Sequence, residues 1–117
     1  MTSYSFQLSG PFHLVLTKKT VEPGGHTVIL WASVTPVDEK ACKLWFSAAM
    51  NYADELTDET IRDFHSRIVR QDFPIVESQR PELLPLDLQA ELHLRFDKIA
   101  IAYRKWLKEL GVTFGTS

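Results

Sequence analysis

Cysteine is nearly absent from this sequence: Cys42 is the only one among 117 residues. A single thiol cannot form a disulfide within the chain, and alone it cannot hold a zinc ion or an iron–sulfur cluster. We therefore expect a reducing, cytoplasmic setting, with Cys42 as a small buried apolar residue.

Long basic and long apolar runs are absent as well. No basic run exceeds Lys18-Lys19, and 13 basic against 15 acidic residues leave a formal charge of −2, so we expect no nucleic-acid partner. The first ten residues contain neither a basic region nor an apolar core, and no segment approaches the roughly 20 apolar residues of a membrane span. We expect a soluble chain with no membrane partner.

The composition, 44% apolar and 24% charged, predicts one globular domain over residues 1–117. Its first half has the period of two that is typical of strands. Four segments suggest an antiparallel sheet: "YSFQLS", "FHLVLTKKT", "HTVILWASVTP" and "CKLWFSAAMNY", with "EPGG" as a turn between the second and third. A helix over residues 44–52 is the open alternative to the fourth strand.

The second half changes to a helical period. Thr57 is a predicted N-cap, and the helix that follows carries an apolar stripe from Ile61 to Val76. Asp72 falls near the middle of that stripe. An unpaired buried carboxylate is costly, so this position predicts a partner for Asp72: a backbone donor, a cation or a metal.

A short extended piece, "ELHLRFD", precedes a final helix in this pattern. The alternation places His93 outward, Asp97 is the predicted N-cap, and Gly111 is the predicted residue after the C-terminal cap. The fold class is therefore α+β, with an antiparallel sheet packed against a long helix and a final helix.

Three segments carry a resemblance to a known family: "HTVILWASVTPVDEKACKLWF", "RQDFPIVESQRP" and "ELHLRFDKIAIAYRKWLKELG". Across residues 26–111 they resemble the C-terminal catalytic domain of Rieske-type non-haem iron oxygenases, nearest the vanillate O-demethylase-like branch. The resemblance implies a partial helix-grip fold, as in Bet v 1-like proteins. It also implies that Asp72, five residues before Glu77, is the metal ligand of a 2-His-1-carboxylate iron site that activates dioxygen beside an aromatic or other apolar substrate.

The chain departs from this family in two respects. A Rieske [2Fe–2S] cluster needs two cysteines and two histidines, and the family's two iron-binding histidines lie close together in an upstream segment. Here the four histidines are widely spread, at positions 13, 26, 65 and 93. We therefore expect mononuclear Fe(II) and [2Fe–2S] in the complete family enzyme but neither bound to this chain alone. The chain resembles the last third of an oxygenase subunit. We expect it to be either an expressed fragment or the product of a gene that has lost its upstream part.

The other notable residues have structural interpretations. His65 is predicted to line a core or pocket rather than to bind metal, and Glu77 to form a surface ion pair with Arg80. Trp31, Trp45 and Trp106 are predicted core residues.

Two functions from different classes remain open. The first is the C-terminal portion of an oxygenase component, inactive alone, with a missing N-terminal Rieske segment or companion subunit and a reductase as partners. The second is a stand-alone, non-catalytic domain that binds a small apolar ligand or associates with itself. In either case, exposed apolar surface predicts a homo-oligomer.

Overall fold

The computed structural model describes all 117 residues as a four-stranded antiparallel sheet followed by two helices. The elements are β1 (Thr2–Gly10), β2 (His13–Thr20), β3 (Thr27–Asp38), β4 (Ala41–Met50), α1 (Asp58–Glu77) and α2 (Lys98–Glu109). Each strand pairs with the next along the chain, so the sheet is a simple meander. The predicted α+β class is confirmed, and the fourth segment is a strand rather than a helix.

One face of the sheet lies under both helices. The register aligns Leu8, Leu14, Ala32 and Phe46 across the four strands, and cross-strand partners point to the same face. These four residues belong to the face of the sheet that α1 and α2 approach, because they line the clefts between the sheet and the helices. The arrangement is consistent with a helix-grip-like fold.

The opposite face of the sheet carries two of the tryptophans predicted to lie in the core. Trp31 stacks on the ring of His13 with centroids 5.7 Å apart, and Trp45 donates a hydrogen bond from Nε1 to Thr35 Oγ1 at 3.0 Å. Both indoles are exposed, so the core prediction is wrong for them. Trp106, on α2, is half-buried.

Helix α1 begins as predicted. Thr57 Oγ1 accepts a hydrogen bond from the Thr60 amide at 3.2 Å, which caps the first turn. No residue of α1 is buried, and the residues of its half-buried stripe are Ile61, His65 and Val69. Every residue from 70 to 77 is exposed. The predicted apolar stripe is therefore covered only in its first half.

Helix α2 is anchored more firmly. Leu107 is 3% exposed, and the Tyr103 hydroxyl donates a hydrogen bond to the Pro11 carbonyl. Gly111 has φ +68°, and the amides of Gly111 and Val112 donate to the carbonyls of Lys108 and Leu107. This is a Schellman ending, so the predicted role of Gly111 is confirmed.

The segment before α2 differs from its prediction. Residues 91–97 form bends and turns instead of a strand, and Phe96 is 90% exposed whereas His93 is half-buried. Asp97 stands at the N-cap position, but its carboxylate accepts from the Leu94 amide at 2.7 Å and does not cap the helix. Cys42, predicted to be buried, is exposed. The predicted N-cap position of Asp97 is confirmed, although its side chain does not cap the helix, whereas the predictions of an extended segment, an outward His93 and a buried Cys42 are wrong.

Backbone hydrogen bonds tie the loop after α1 to the residues after α2. Leu84 forms a parallel bridge with Thr116. The Leu84 amide donates to the Gly115 carbonyl at 3.0 Å, and the Ser117 amide donates back to the Leu84 carbonyl at 3.0 Å. The segment that contains α2 is therefore closed at its base.

The architecture is open for its size. The accessible surface is 9179 Å², whereas a folded monomer of this mass exposes about 6,500 Å². The radius of gyration is 16.5 Å, against about 13 Å for a compact chain of this length. Only four residues are buried: Val28, Ser33, Pro85 and Leu107. Two helices are thus too few to close the covered face of the sheet.

No helix combines the length and apolar character needed to cross a membrane.

Candidate functional site

Asp72 lies in the exposed second half of α1. It follows His65 by seven residues, which places the two within about 20° of each other on the helix surface and about 10 Å apart along the axis. The Asp72 side chain makes no ion pair and no hydrogen bond. Because the Asp72 carboxylate is exposed within this chain, it keeps its contact with water and needs no structural partner. Its role as a metal ligand stays a prediction.

The four histidines lie apart in the fold. His13 stacks on Trp31, His26 stacks on Tyr52 with centroids 4.6 Å apart, and His65 and His93 line separate clefts. No group of three His, Cys, Asp or Glu side chains is placed to hold a metal ion. The residues of this chain alone therefore do not fit a facial triad or a [2Fe–2S] cluster, although Asp72 is available as one carboxylate ligand.

A depression lies between β4 and the first turns of α1, and we call it the β4–α1 cleft. It has a volume of about 640 Å³, within the range of small-molecule sites. Its apolar and aromatic wall comes from the end of β4 and the loop after it. The residues that define it are Phe46, Met50, Tyr52, Asp58, Ile61 and His65.

His65 is the residue of α1 that faces Phe46 across this cleft. Their ring centroids are 6.0 Å apart at an angle of 48°, and Phe64 meets the same imidazole edge-on at 5.4 Å. Burial lowers the pKa of His65 below its ordinary value. This shift favours the neutral imidazole, which has one nitrogen as donor and the other as acceptor. The prediction that His65 lines a pocket is confirmed.

The predicted ion pair between Glu77 and Arg80 does not form. Arg80 instead donates from Nη1 to the backbone carbonyls of Glu77 and Gln79, and its Nη2 lies 3.8 Å from the Glu82 carboxylate. The Glu82 carboxylate also pairs with Lys40 at the β3–β4 turn. Because the chain turns at the end of α1, the Arg80 side chain binds backbone carbonyl groups there rather than the Glu77 carboxylate.

Two further depressions flank α2. One, of about 510 Å³, lies beside the loop before α2 and includes Arg80, His93 and Arg104. Arg104 pairs with Glu91 at 2.6 Å, so much of its charge is already balanced. The other, which we call the α2 cavity, has about 340 Å³ and is lined mainly by apolar residues such as Leu14 and Leu107.

The sequence patterns did not identify the cleft wall. Tyr52 and Asp58 were not predicted as site residues, and Phe46 was predicted only as one face of a strand. A signal was present: Phe46 and Met50 share a sheet face at a spacing of four, close in sequence to the polar start of α1. Their meeting with His65 depends on how α1 turns back over β4, which local periodicity does not specify.

Comparison with known proteins adds a family context to this geometry. A family model described as the vanillate O-demethylase oxygenase C-terminal domain matches residues 2–113. A probable methylxanthine N7-demethylase from Pseudomonas sp. (strain TJI-51) is 36% identical over 115 residues, which cover 97% of this chain and 40% of that relative.

Two relatives from Pseudomonas putida are similar. A methylxanthine N3-demethylase is 31% identical over 114 residues, covering 97% of this chain and 30% of that protein. A methylxanthine N1-demethylase is 32% identical over 108 residues, covering 92% of this chain and 29% of that protein. The chain thus spans less than half the length of the curated relatives it matches.

Proposed function

The chain belongs to the Rieske-type oxygenases as a C-terminal domain of the vanillate O-demethylase kind, and from that membership we propose that it acts as the C-terminal portion of an oxygenase component. The observation that carries this proposal is the family match over residues 2–113 combined with an unpaired carboxylate at Asp72. In the complete enzyme, a [2Fe–2S] cluster would deliver electrons to a mononuclear iron that activates dioxygen.

Asp72 is the residue that this proposal assigns to the iron. A monodentate or bidentate carboxylate is one member of the facial triad, and the other two members are histidines. Two observations support the assignment: Asp72 is unpaired, and it is on the helix face that continues from the β4–α1 cleft. The histidines would come from another part of the oxygenase, since this chain contains no group of three metal-binding side chains.

The open architecture supports an obligate polypeptide partner. The chain exposes about 2,700 Å² more surface than a compact monomer of its mass. Covering it would bury about 5,400 Å² on the two partners together, which is the size of a large permanent interface. The second half of α1 contributes to this surface, with Ile75 63% and Val76 65% exposed. We assign this surface to the part of an oxygenase component that carries the cluster and the two histidines. A reductase would complete the system.

The substrate of this proposal is an aromatic ring whose methyl group is removed by oxidation. Three similar proteins are named as methylxanthine demethylases that act at N7, N3 and N1. The β4–α1 cleft combines aromatic walls with polar groups, which suits a flat ring carrying both π-faces and hydrogen-bonding edges. By itself, the 117-residue chain should show no turnover.

A hybrid oxygenase tests the proposal. This chain would replace the matching 40% of the methylxanthine N7-demethylase relative, and bound iron and demethylation would be measured with the hybrid. Asp72→Ala should remove the mononuclear iron and the activity together while leaving the cluster spectrum intact. Asp63→Ala is the matched control, because Asp63 is an exposed aspartate on the opposite side of α1. Normal iron content in the Asp72→Ala hybrid would refute the ligand assignment.

The alternative function is a non-catalytic domain that binds a small apolar ligand. The observation in its favour is the α2 cavity, with its largely apolar lining. This alternative predicts that the chain binds a probe such as naphthalene in the α2 cavity, and that the hybrid oxygenase retains no iron. A second copy of the chain is the rival occupant of the exposed apolar surface, and light scattering on the 117-residue chain would show it as a homo-oligomer.

A further inference from the structure

We infer that the free edge of β1 pairs with the β1 of a second copy of this chain, antiparallel and centred on Phe6, which joins two four-stranded sheets into one. This edge is a different surface from the part of α1 assigned above to the rest of the oxygenase. The inference therefore goes beyond the proposed function and does not depend on it.

β1 is an edge strand without the usual features that prevent pairing. It stands at one end of the strand order and pairs only with β2. Natural edge strands carry charged residues, proline or bulges that block pairing with another chain. Thr2–Gly10 contains no charged residue and no proline, and its one irregularity in register lies at its end, between Leu8 and Gly10. The other edge, β4, carries Lys43. The β1 edge is therefore available to another strand.

The backbone of β1 has the right phase for this pairing. The Val21 amide donates to the Met1 carbonyl at 2.8 Å. Bonded pairs recur at every second residue of an antiparallel ladder, so the odd-numbered residues of β1 bond to β2. The even-numbered residues direct their amides and carbonyls away from β2, and these are Thr2, Tyr4, Phe6 and Leu8. Phe6 thus offers a donor and an acceptor near the middle of the free edge.

The side chains of β1 are self-complementary about the same residue. In "SYSFQLS", which is centred on Phe6, polar and apolar residues alternate symmetrically on both sides. A two-fold axis at Phe6 places this residue opposite its own copy and Tyr4 opposite Leu8 of the second copy. On the other face, Ser5 then lies opposite Gln7. The outward amides and carbonyls meet in this register and form about six hydrogen bonds.

The pairing would cover apolar side chains that are exposed in the single chain. Tyr4 is 58% and Phe6 is 55% exposed. No charge within β1 opposes their approach to the second copy, and aromatic cross-strand pairs stabilise a sheet. β1 and β4 are opposite edges of the sheet, so the pairing leaves the β4–α1 cleft open.

Analytical ultracentrifugation of the 117-residue chain tests this inference. We expect a monomer–dimer equilibrium that ends at the dimer, because a two-fold interface is closed. Phe6→Lys should weaken the dimer at least about tenfold, since it places two like charges opposite each other. Val76→Lys is the matched control, because it adds the same charge at an exposed apolar position of α1. The dissociation constant of this control should stay within about threefold of the original.

Three results would overturn the inference. The chain could remain a monomer even at millimolar concentration, or it could form species larger than a dimer. The dimer could also be lost in Val76→Lys and kept in Phe6→Lys, which would assign self-association to the surface of α1.

A charge exchange tests the register and guards against a variant that fails to fold. Phe6→Glu alone should weaken the dimer as Phe6→Lys does. An equimolar mixture of the two variant chains should associate at least about threefold more tightly than either alone, because opposite charges then face each other across the axis. Misfolded chains would not recover in this way. No gain on mixing would contradict pairing centred on Phe6.

Amide hydrogen exchange at low and high protein concentration locates the contact in the backbone. The amides of Tyr4, Phe6 and Leu8 should become protected as the dimer forms, whereas those of Ser5 and Gln7 bond to β2 in both states and should not change. Absent or uniform protection along β1 would overturn the inference. The iron content of the hybrid oxygenase is a separate readout, so failure of this inference and failure of the iron assignment can be told apart.

Discussion

Helices α1 and α2 lie over the same face of the sheet but are held very differently. α2 buries Leu107, bonds its Tyr103 hydroxyl to the Pro11 carbonyl and pairs Arg104 with Glu91. α1 is longer, yet it has no buried residue and is wholly exposed after Arg70. The helix that secures the fold is therefore not the helix that carries the candidate functional residues.

The difference indicates a division of roles. A helix that must meet both a ligand and a second polypeptide keeps its apolar residues available, and its stability within the isolated chain is correspondingly low. The α2 side, in contrast, contains buried and paired side chains whose removal would lower the free energy of unfolding. Four measurements can sharpen or break this comparison, beginning with the largest expected effect.

Leu107→Ala should cost the most stability. Leu107 is 3% exposed, and removing its side chain leaves a cavity, so we expect a loss of about 3 kcal/mol in the free energy of unfolding. Phe64→Ala on α1 truncates a larger but exposed side chain and should cost less than about 1 kcal/mol. Urea denaturation would measure both. Equal losses would show that α1 is as firmly packed as α2.

Glu91→Gln should have the next largest effect. The Glu91 and Arg104 side chains are only 27% and 12% exposed, and their charged atoms lie 2.6 Å apart. Neutralising the carboxylate leaves the half-buried guanidinium without its counter-charge, and we expect a loss of about 2 kcal/mol. A double-mutant cycle with Arg104→Met separates the pair from the individual residues. A coupling energy near zero would contradict this account.

Acid should weaken the α1 side through His65. Because burial lowers the pKa of His65, the unfolded chain takes up the proton at a higher pH than the folded chain. The contribution is fully present above the ordinary pKa of about 6.5 and is lost as the pH falls through that value and the lowered pKa. Urea midpoints measured between pH 7.5 and 5 should fall, and His65→Gln should flatten the dependence. An unchanged slope in that variant would assign the effect to other groups.

Asp72→Asn should change stability least. The carboxylate is exposed and unpaired within the chain, so we expect a change within about 0.5 kcal/mol in the free energy of unfolding. A loss of about 3 kcal/mol would instead reveal a structural ion pair and remove the case for Asp72 as a ligand. Together with a loss of iron in the hybrid oxygenase, such a small change would show that Asp72 contributes to iron binding and not to the stability of the chain.

Local patterns predicted the elements well. The period of two gave the four strands, Thr57 was recognised as a cap, and Gly111 was recognised as the end of α2. Each of these features depends on neighbouring residues in the chain, such as a hydroxyl near a free amide or a glycine with positive φ. Such contacts form whatever covers the domain.

Burial was predicted poorly for a related reason. An apolar stripe predicts that something covers it, but it does not say what the covering layer is. Trp31, Cys42 and the second half of α1 were predicted to be covered, and within these 117 residues they are exposed. The β4–α1 cleft was missed because its walls come from elements whose relative placement is set by tertiary packing. The helical period singled out Asp72, and the family resemblance supplied its predicted role as an iron ligand.

The hydrogen bonds between residues 84–86 and 115–117 have a consequence for the order in which the molecule opens. They join the two ends of the segment that contains α2, so α2 remains close to the sheet while these hydrogen bonds persist. The conformational entropy of closing this loop is lost when the bonds form and does not oppose the later packing of α2. α1 has no comparable closure. Amide hydrogen exchange should therefore occur in two separate units, with α1 exchanging through frequent local opening and α2 exchanging together with the paired backbone at its base.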